Sequence, residues 1–428
     1  MTIIEKLKSK DKKVYKLLKS IATTEKVDFD ELVRDIIEGK VVVLKNHKDA
    51  ALAVAVGKNL KTKVNANIGT SPDFVNLDFE LKKLQAAIEA KADTVMDLST
   101  GGKLDYIRKE IIKNSSIPVG SVPIYQVVCE TLRRGKKIKE ISKTHIFEVI
   151  EKHAEDGISF ITVHCGVTKK NIELLKKKPR VAGIVSRGGA FLAEWIIKNN
   201  KENPLYEFFD ELLNIAKKYD LTLSLGDGLR PGSIFDANDE AQIAELKTLA
   251  ELAKIANREG VQVMIEGPGH MPMDMIEDHI KLQKKLTNEK PYYLLGPLVT
   301  DIAAGYDHIN SAIGAAIAAK AGADLICYVT SAEHLRLPNV EDVYEGVIAA
   351  RIAAHAGDIV KRRKFGDDKV DLEMSKARKS LDWERQKKYA LDKIKFEIEH
   401  KKIKTKTKDV CSMCGSYCAM RESTKIGI

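Results

Sequence analysis

LTLSLGDGLRPGS, residues 221–233, passes from a mostly apolar run into a loop of glycine, aspartate and arginine. A run with so few polar interruptions is typical of a parallel strand that is buried on both faces. In residues 239–260, apolar positions recur three and four apart and the stretch ends at Gly260, which predicts an amphipathic helix. Residues 221–260 therefore predict one strand, loop and helix unit of a parallel α/β protein.

The same unit recurs along the chain. Short apolar or β-branched runs, separated by helical stretches, occupy residues 94–100, 117–124, 158–165, 180–186, 221–228, 261–269, 292–298 and 325–330. Eight buried strands alternating with helices favour the α/β class and, within it, a (β/α)8 TIM barrel. Periodicity alone also leaves a doubly wound parallel sheet open.

The segments on either side of this region differ from it in composition. Residues 1–63 predict a small N-terminal helical segment, which includes a helix that stops at Gly39 and a short strand over residues 41–46. Residues 64–357 make up the predicted barrel domain. Residues 358–428 are rich in Lys, Glu and Arg at helical spacing, and they predict a C-terminal helical arm that carries a cysteine cluster motif.

Bulk composition excludes several classes of protein. The chain has 428 residues, 44% of them hydrophobic, and a net charge of +10 from 71 Lys and Arg against 61 Asp and Glu. Glutamates interrupt the lysines and only 6% of residues are aromatic, which favours a solvated surface over a nucleic-acid track. There is no run of eighteen apolar residues and the first residues lack a signal peptide's apolar block, so we expect a cytoplasmic protein.

Polar residues collect where the predicted strands finish. In a parallel barrel the catalytic groups come from the carboxyl ends of the strands and from the loops that follow. We therefore expect these side chains to share one pocket. They are Asp97, Ser99, Tyr125, His164, Ser186, Arg187, Asp227, Arg230, Glu266, His270 and His334.

Two loops have features that suit an anionic group. Residues 186–190, SRGGA, offer a hydroxyl, a guanidinium and small-residue amides ahead of a helix, and Asp227 and Arg230 lie on a glycine-rich loop. Neither loop matches a Walker or Rossmann fingerprint. Glu266 and Asp227 could hydrogen-bond a substrate or transfer protons. The alternative is ordinary turn glycines beside a surface ion pair.

His270 and His334 follow two predicted strands on the same side of the barrel. Neutral imidazoles in such positions could share a divalent ion with open sites for substrate or water. The alternative is that each histidine is only hydrogen-bonded. Their shared location favours the metal.

Half of the six cysteines lie in the tail, where Cys411, Cys414 and Cys418 form C-x2-C-x3-C. Three thiolates leave one iron of a [4Fe-4S] cluster without a protein ligand, and S-adenosylmethionine can bind at that open position. The alternative is a loosely held zinc site or reactive surface thiols. The other cysteines, Cys129, Cys165 and Cys327, are interpreted as buried small apolar groups without chemistry.

Long stretches of the chain resemble the phosphomethylpyrimidine synthase family, whose members make the pyrimidine half of thiamine. They run in family order from about residue 64 to 420, and include VNANIGTSP, TVMDLSTGG, PVGSVPIYQ, GIVSRGGA, SLGDGLRPGSIFDANDEAQIAELKTLAELAKIA, VQVMIEGPGHMPM, GPLVTDIAAGYDHI, CYVTSAEHLRLPN, AAHAGDI and CSMCGSYCAM. The resemblance implies a lyase with a barrel fold, a homodimer, and a cysteine tail brought over a barrel mouth. It also implies a radical S-adenosylmethionine reaction that converts 5-aminoimidazole ribotide to 4-amino-5-hydroxymethyl-2-methylpyrimidine phosphate, with release of formate and carbon monoxide.

The resemblance also implies roles for particular residues. The cluster ligands would be Cys411, Cys414 and Cys418, and His270 and His334 would bind zinc or iron. An electron donor would reduce the cluster. The implied substrate contacts are Asn67, Met96, Tyr125, His164, Ser186, Arg187, Gly188, Asp227, Gly228, Leu229, Arg230, Glu266 and Tyr293.

Two departures from the family pattern stand out. Three residues separate Cys414 from Cys418, where many members have four, and Ala304 stands where many have proline. The nearest alternative function is 5-hydroxybenzimidazole synthesis from the same substrate. A zinc-dependent barrel lyase and a nonenzymatic nucleic-acid binder are alternatives of other classes.

Overall fold

The computed structural model describes residues 1–45, 53–403, 405–407 and 409–427. The chain divides into two compact units, Met1–Lys361 and Arg362–Ile428. The strands are β1 (Val41–Leu44), β2 (Val54–Gly57), β3 (Lys63–Ile68), β4 (Thr94–Asp97), β5 (Val119–Ser121), β6 (Phe160–Val163), β7 (Thr222–Leu225), β8 (Val263–Gly267), β9 (Tyr292–Leu295) and β10 (Leu325–Cys327). Of the strand expected over residues 41–46, Asn46 lies outside the described residues.

Strands β3 to β10 form a closed barrel in chain order, with β10 pairing with β3 to complete the ring. Every neighbouring pair is parallel, as in the pairing of Asn67 with Met96. The strands are buried along almost their whole length, because side chains fill the interior and helices cover the outside. The predicted α/β class and (β/α)8 barrel are confirmed.

The first unit has helices before the barrel as well as between and after its strands. They are α1 (Ile3–Lys8), α2 (Lys12–Glu25), α3 (Phe29–Ile37), α4 (Leu77–Glu89), α5 (Leu104–Asn114), α6 (Pro123–Arg133), α7 (Lys143–Asp156), α8 (Lys169–Lys177), α9 (Arg187–Asn199), α10 (Pro204–Glu207), α11 (Phe209–Tyr219), α12 (Glu240–Arg258), α13 (Met273–Thr287), α14 (Asp307–Ala321) and α15 (Val340–Lys361). Short 3-10 helices occupy Ile138–Glu140 and Ile234–Asp236.

One predicted strand is wrong, and two strands, β2 and β3, were missed. Residues 180–186 are apolar and β-branched, yet they form an irregular segment in which the side chains of Val181 and Val185 are exposed. The backbone amides of Val181 and Ala182 donate hydrogen bonds to the Asp236 carboxylate at 2.8 and 2.9 Å. These amides are therefore not paired with a neighbouring strand. The strand that completes the barrel is β3, which lies outside the predicted runs.

The N-terminal segment covers the amino ends of the strands. Helices α1 to α3 share an apolar cluster with the antiparallel pair β1 and β2. Gln262, directly before β8, bonds to both backbone groups of Val43 through its side-chain amide. The opposite, carboxyl end of the barrel carries the polar loops described below.

The second unit is helical. Its helices are α16 (Lys369–Lys379), α17 (Trp383–Tyr389), α18 (Lys393–Lys402) and α19 (Ala419–Lys425), with 3-10 turns at Arg363–Phe365 and Gly415–Tyr417. The Trp383 ring stacks on His400 with ring centroids 4.2 Å apart, and its Nε1 donates to the Asp409 carbonyl at 3.2 Å. Among the described helices of both units, none combines the length and the apolar content needed to cross a membrane.

Candidate active site

A cavity of about 70 Å³ opens at the carboxyl ends of the barrel strands. All eight barrel strands, or the segments that follow them, contribute residues to it. The lining consists of Asn67, Met96, Leu98, Val122, Tyr125, Thr162, His164, Asp227, Arg230, Glu266, Gly267, Tyr293, Leu294, Leu295 and Cys327.

Eight residues that the sequence analysis expected at a substrate site line this cavity. They are Asn67, Met96, Tyr125, His164, Asp227, Arg230, Glu266 and Tyr293. The others expected there, Ser186, Arg187, Gly188, Gly228 and Leu229, lie around it without lining it. A Cβ atom on Gly188 would overlap the His164 ring, and one on Gly189 would overlap the Gly228 backbone. The two glycine loops therefore touch beside the cavity.

The Glu266 carboxylate is held in a fixed position across the barrel. Its Oε1 accepts from Thr162 Oγ1 at 2.6 Å and from Ser224 Oγ at 2.8 Å. Burial raises the pKa of Glu266, while the two hydroxyls stabilise the charged form and oppose that rise. A carboxyl with a raised pKa and a locked orientation suits proton transfer to or from a bound substrate.

Asp227 and Arg230 face each other on the loop after β7. Arg230 Nη1 donates to Asp227 Oδ1 at 3.2 Å. Within the described chain, the second oxygen of Asp227 is buried without a hydrogen-bond partner. Burial raises the pKa of Asp227 well above its usual value, and Arg230 opposes the rise. This oxygen is available to a polar group of a ligand.

His164 also presents a buried nitrogen without a partner among the described residues, its Nδ1. Burial and the nearby Arg230 charge lower the pKa of His164 to about 3. The ring is therefore neutral at physiological pH, and it can accept or donate one hydrogen bond without carrying charge.

Helix α9 begins beside the cavity. Its N-cap residue, Ser186, accepts from the Gly189 amide at 3.1 Å. The guanidinium of Arg187 lies over the Tyr125 ring, 4.9 Å from its centroid. A helix N-terminus with an adjacent arginine favours a phosphate or another anion.

The loop that carries Asp227 and Arg230 is held from behind. Glu245 on α12 accepts from the Leu229 amide at 2.8 Å. Arg180 donates to the Leu229 carbonyl at 2.7 Å and to the Arg230 carbonyl at 3.2 Å, and it pairs with both oxygens of Asp239. Arg180, which anchors this loop, is thus the first residue of the segment that was wrongly predicted as a strand.

Glu245→Gln is expected to raise the free energy of unfolding at neutral pH by on the order of 1 kcal/mol. Burial raises the pKa of Glu245 well above 4.5, and nearby Asp227 raises it further. The protonated Glu245 carboxyl therefore makes its full contribution to the free energy of unfolding below pH 4.5, and this contribution is lost as the pH rises through the pKa of Glu245 in the folded chain. Glutamine keeps an oxygen for the Leu229 amide and carries no charge.

Urea unfolding at several pH values checks this expectation. The stability difference between Glu245→Gln and the parent chain should widen as the pH rises from 5 to 8. Glu251→Gln, an exposed change on the same helix, should show no such trend. A difference that stays constant with pH would contradict the assignment.

His270 and His334 lie next to each other at this end of the barrel, with ring centroids 5.4 Å apart. Nδ1 of His270 bonds Asp301 Oδ1 at 2.8 Å, and Nδ1 of His334 bonds Asp307 Oδ2 at 3.1 Å. A carboxylate on Nδ1 leaves Nε2 free as a metal ligand, which is the usual arrangement at histidine metal sites. The pair therefore has the donor chemistry for a divalent ion.

Comparison with known proteins establishes the family. The model of the group described as the Radical SAM ThiC family matches residues 4–425. The chain belongs to this family. Three phosphomethylpyrimidine synthases are similar to it. That of Caldanaerobacter subterraneus subsp. tengcongensis is 54% identical over 410 residues, which cover 95% of this chain and 94% of the relative. That of Pyrococcus furiosus is 52% identical over 406 residues (94% of this chain and 94% of the relative), and that of Methanocaldococcus jannaschii is 50% identical over 410 residues (96% of this chain and 96% of the relative).

As a radical SAM ThiC family member, the chain is an enzyme, and the family implies S-adenosylmethionine and an iron–sulfur cluster. The tail offers suitable donors, because Cys411, Cys414 and Cys418 are free thiols on a segment of tight turns. The Gly415 amide donates to the Cys411 carbonyl at 3.1 Å, and the Cys418 amide donates to the Gly415 carbonyl at 3.3 Å. Three thiols on such a segment fit a cluster in kind and number.

The three sulfurs do not converge on a common point. Within the described residues, no group of three or more His, Cys, Asp or Glu side chains is arranged to hold a metal ion. Cys414 is exposed and Cys418 is buried within its surroundings. Assembly of a cluster on these three cysteines would therefore require the thiols to rearrange, which the short turns around Gly415 would permit.

Sequence reasoning missed several residues of the cavity. Cys327, interpreted as inert, is the last residue of β10 and lines the cavity, where Asn67 Nδ2 donates to its Sγ at 3.0 Å. Burial raises the pKa of Cys327 to about 11, so it is a neutral thiol. Thr162, which also lines the cavity, and Ser224, which donates to Glu266, were missed too. In the sequence, each of the two could have been noticed as a hydroxyl residue inside a mostly apolar strand.

Proposed function

We propose that this chain is a phosphomethylpyrimidine synthase, a radical S-adenosylmethionine enzyme of thiamine biosynthesis. Its substrate is 5-aminoimidazole ribotide and its product is 4-amino-5-hydroxymethyl-2-methylpyrimidine phosphate, with formate, carbon monoxide, 5′-deoxyadenosine and methionine as co-products. The single observation that best supports the proposal is the meeting of Asp227, Arg230 and Glu266 with neutral His164 in one cavity beside the start of α9.

The ribotide phosphate binds at the two glycine loops. Ser186, Arg187 and Gly188 contribute the N-terminus of α9 and a guanidinium, which together favour a dianion. Arg230 adds a second positive charge at the cavity wall. Gly188 has no side chain, so the phosphate can approach the backbone next to His164.

The imidazole and ribose bind deeper in the barrel. Asn67, Asp227 and His164 offer acceptors and donors for amino and hydroxyl groups, and Met96 and Tyr293 form apolar walls. Glu266 acts as the general acid or base, because its carboxyl is locked between two hydroxyls and its pKa is raised. Apolar side chains make up part of the walls and would limit the access of water and stray hydrogen donors to the reacting ribose.

Cys411, Cys414 and Cys418 hold a [4Fe-4S] cluster in this proposal. When bound, the cluster and S-adenosylmethionine would supply a 5′-deoxyadenosyl radical. His270 and His334 hold zinc or iron through Nε2, with Asp301 and Asp307 fixing the ring orientations. The electron donor for the cluster, the homodimer, the cytoplasmic location and the role of the tail as a lid over the barrel stay predictions.

Identification of the nucleotide product tests the proposal. The full chain is reconstituted with iron and sulfide without oxygen, reduced, and supplied with S-adenosylmethionine and 5-aminoimidazole ribotide. Mass spectrometry is expected to find the aminopyrimidine phosphate. 5-Hydroxybenzimidazole would support the nearest alternative, and a colourless, zinc-containing, active protein would support a zinc lyase instead.

A further inference from the structure

Asp301 bonds to two different parts of the site at once. Its Oδ1 faces His270 Nδ1 at 2.8 Å. Its Oδ2 accepts from Ser233 Oγ at 2.8 Å and from the Ile234 amide at 3.0 Å. Ser233 and Ile234 are the last two residues of the loop that carries Asp227 and Arg230. One carboxylate therefore joins a histidine of the metal pair to the end of that loop.

The loop and the histidine are also joined through the backbone. The His270 amide donates to the Pro231 carbonyl at 3.3 Å, one residue beyond Arg230. At its other end the loop is fixed by Glu245 and Arg180. The stretch from residue 227 to 234, called the substrate loop from here on, is thus anchored behind Leu229 and tied to the histidine pair beyond Arg230.

Asp307 plays a different part, although it contacts the other histidine in the same way. Its Oδ2 bonds His334 Nδ1, and its Oδ1 accepts from Asn310 Nδ2 on its own helix at 3.2 Å. Asp307 is nearly fully buried, with 3% of its surface exposed. These bonds hold α14 and His334 together and do not reach the substrate loop.

We propose that Asp301 is a positioning residue that couples the His270–His334 metal site to the substrate loop. This inference rests on the proposed function, which places a divalent ion on the histidines and the ribotide at the loop. An ion on Nε2 makes the Nδ1 proton a stronger donor, which strengthens and orders the bond to Asp301. The ordered carboxylate then holds Ser233 and Ile234 more firmly, so Arg230 and Asp227 are presented in one arrangement.

The coupling must act in both directions, because the free energy that links two binding sites is shared between them. Bound metal is expected to tighten ribotide binding about fivefold or more, the lower end of typical coupling between sites. Bound ribotide is expected to tighten metal binding by the same factor.

Calorimetric titration of the full chain tests this proposal. 5-Aminoimidazole ribotide is titrated with and without saturating Zn²⁺, and Zn²⁺ affinity is measured separately by competition with a chromophoric chelator. In Asp301→Asn, Zn²⁺ affinity should fall about 10- to 100-fold and the effect of Zn²⁺ on ribotide affinity should vanish. Asp307→Asn is the matched control, in which Zn²⁺ affinity should fall similarly while saturating Zn²⁺ still tightens ribotide binding.

Ser233→Ala removes the hydrogen bond from Ser233 to Asp301 and keeps the bond between Asp301 and His270. Zn²⁺ affinity should stay within about twofold of the parent chain, and the coupling factor should shrink. The role of Asp301 would be overturned if Asp307→Asn lost as much coupling as Asp301→Asn, or if Asp301→Asn kept the full coupling of the parent chain. Either result would leave the proposed function standing. If the parent chain bound neither Zn²⁺ nor ribotide, the proposed function itself would fail together with the coupling.

Discussion

Serine in place of Cys414 is expected to abolish both the iron–sulfur absorbance and the formation of 5′-deoxyadenosine. The proposed cluster has three protein ligands, and a hydroxyl is a much poorer ligand for its iron than a thiolate. The Cys414 side chain is exposed, so the substitution should change the free energy of unfolding by less than about 0.5 kcal/mol. Iron and acid-labile sulfide content, visible absorbance and chromatography of the nucleoside products measure the effect.

Ser416→Ala is the matched control for this prediction. Ser416 lies within the same motif, is exposed and is not a thiol. It should keep the cluster content and turnover of the parent chain. Turnover in Cys414→Ser at the parental rate would show that the tail has another role.

Glutamine in place of Glu266 is expected to lower kcat by roughly 10²- to 10⁴-fold, the range typical of a lost general acid or base. The amide oxygen can still accept from Thr162 and Ser224, so the side chain should keep its place. What the variant loses is the ability to take up and release a proton at the position of Oε1. Steady-state kinetics at saturating ribotide measure this loss.

The split between kcat and KM decides the role of Glu266. Glu211→Gln, which changes a surface carboxylate paired with Lys143, should leave both constants near their parental values. A Glu266→Gln variant with unchanged kcat and a raised KM would show that Glu266 only binds substrate.

The barrel could be predicted from the sequence because seven of its strands lie in mostly apolar runs. The exception is β3, whose interior positions hold Asn65 and Asn67. Their amides are satisfied inside the barrel: Asn65 Nδ2 donates to Asn67 Oδ1, and Thr94 Oγ1 donates to Asn65 Oδ1, both at 2.8 Å. Hydrophobic periodicity cannot detect a strand whose interior positions are polar and whose polar groups are paired with other side chains inside the barrel.

The same limit explains which site residues the sequence could indicate. Residues at the carboxyl ends of strands were found, because the barrel geometry directs them to one cavity. Glu245 and Asp301 were not found, since their importance comes from bonds to Leu229, Ser233 and His270. Such contacts join segments that are separated in the sequence, and only the folded chain brings them together.

The most direct test of the proposed radical reaction measures the transfer of hydrogen from the substrate ribose to 5′-deoxyadenosine. 5-Aminoimidazole ribotide with deuterium on the ribose is turned over by the reconstituted, reduced chain, and the 5′-deoxyadenosine formed is analysed by mass spectrometry. The proposed function places the ribose inside the barrel against the reaction centre, so deuterium is expected in the 5′-deoxyadenosine. Product formed at the normal rate with no deuterium in the nucleoside would contradict the claim that a radical from S-adenosylmethionine reacts with a ribotide bound in this cavity.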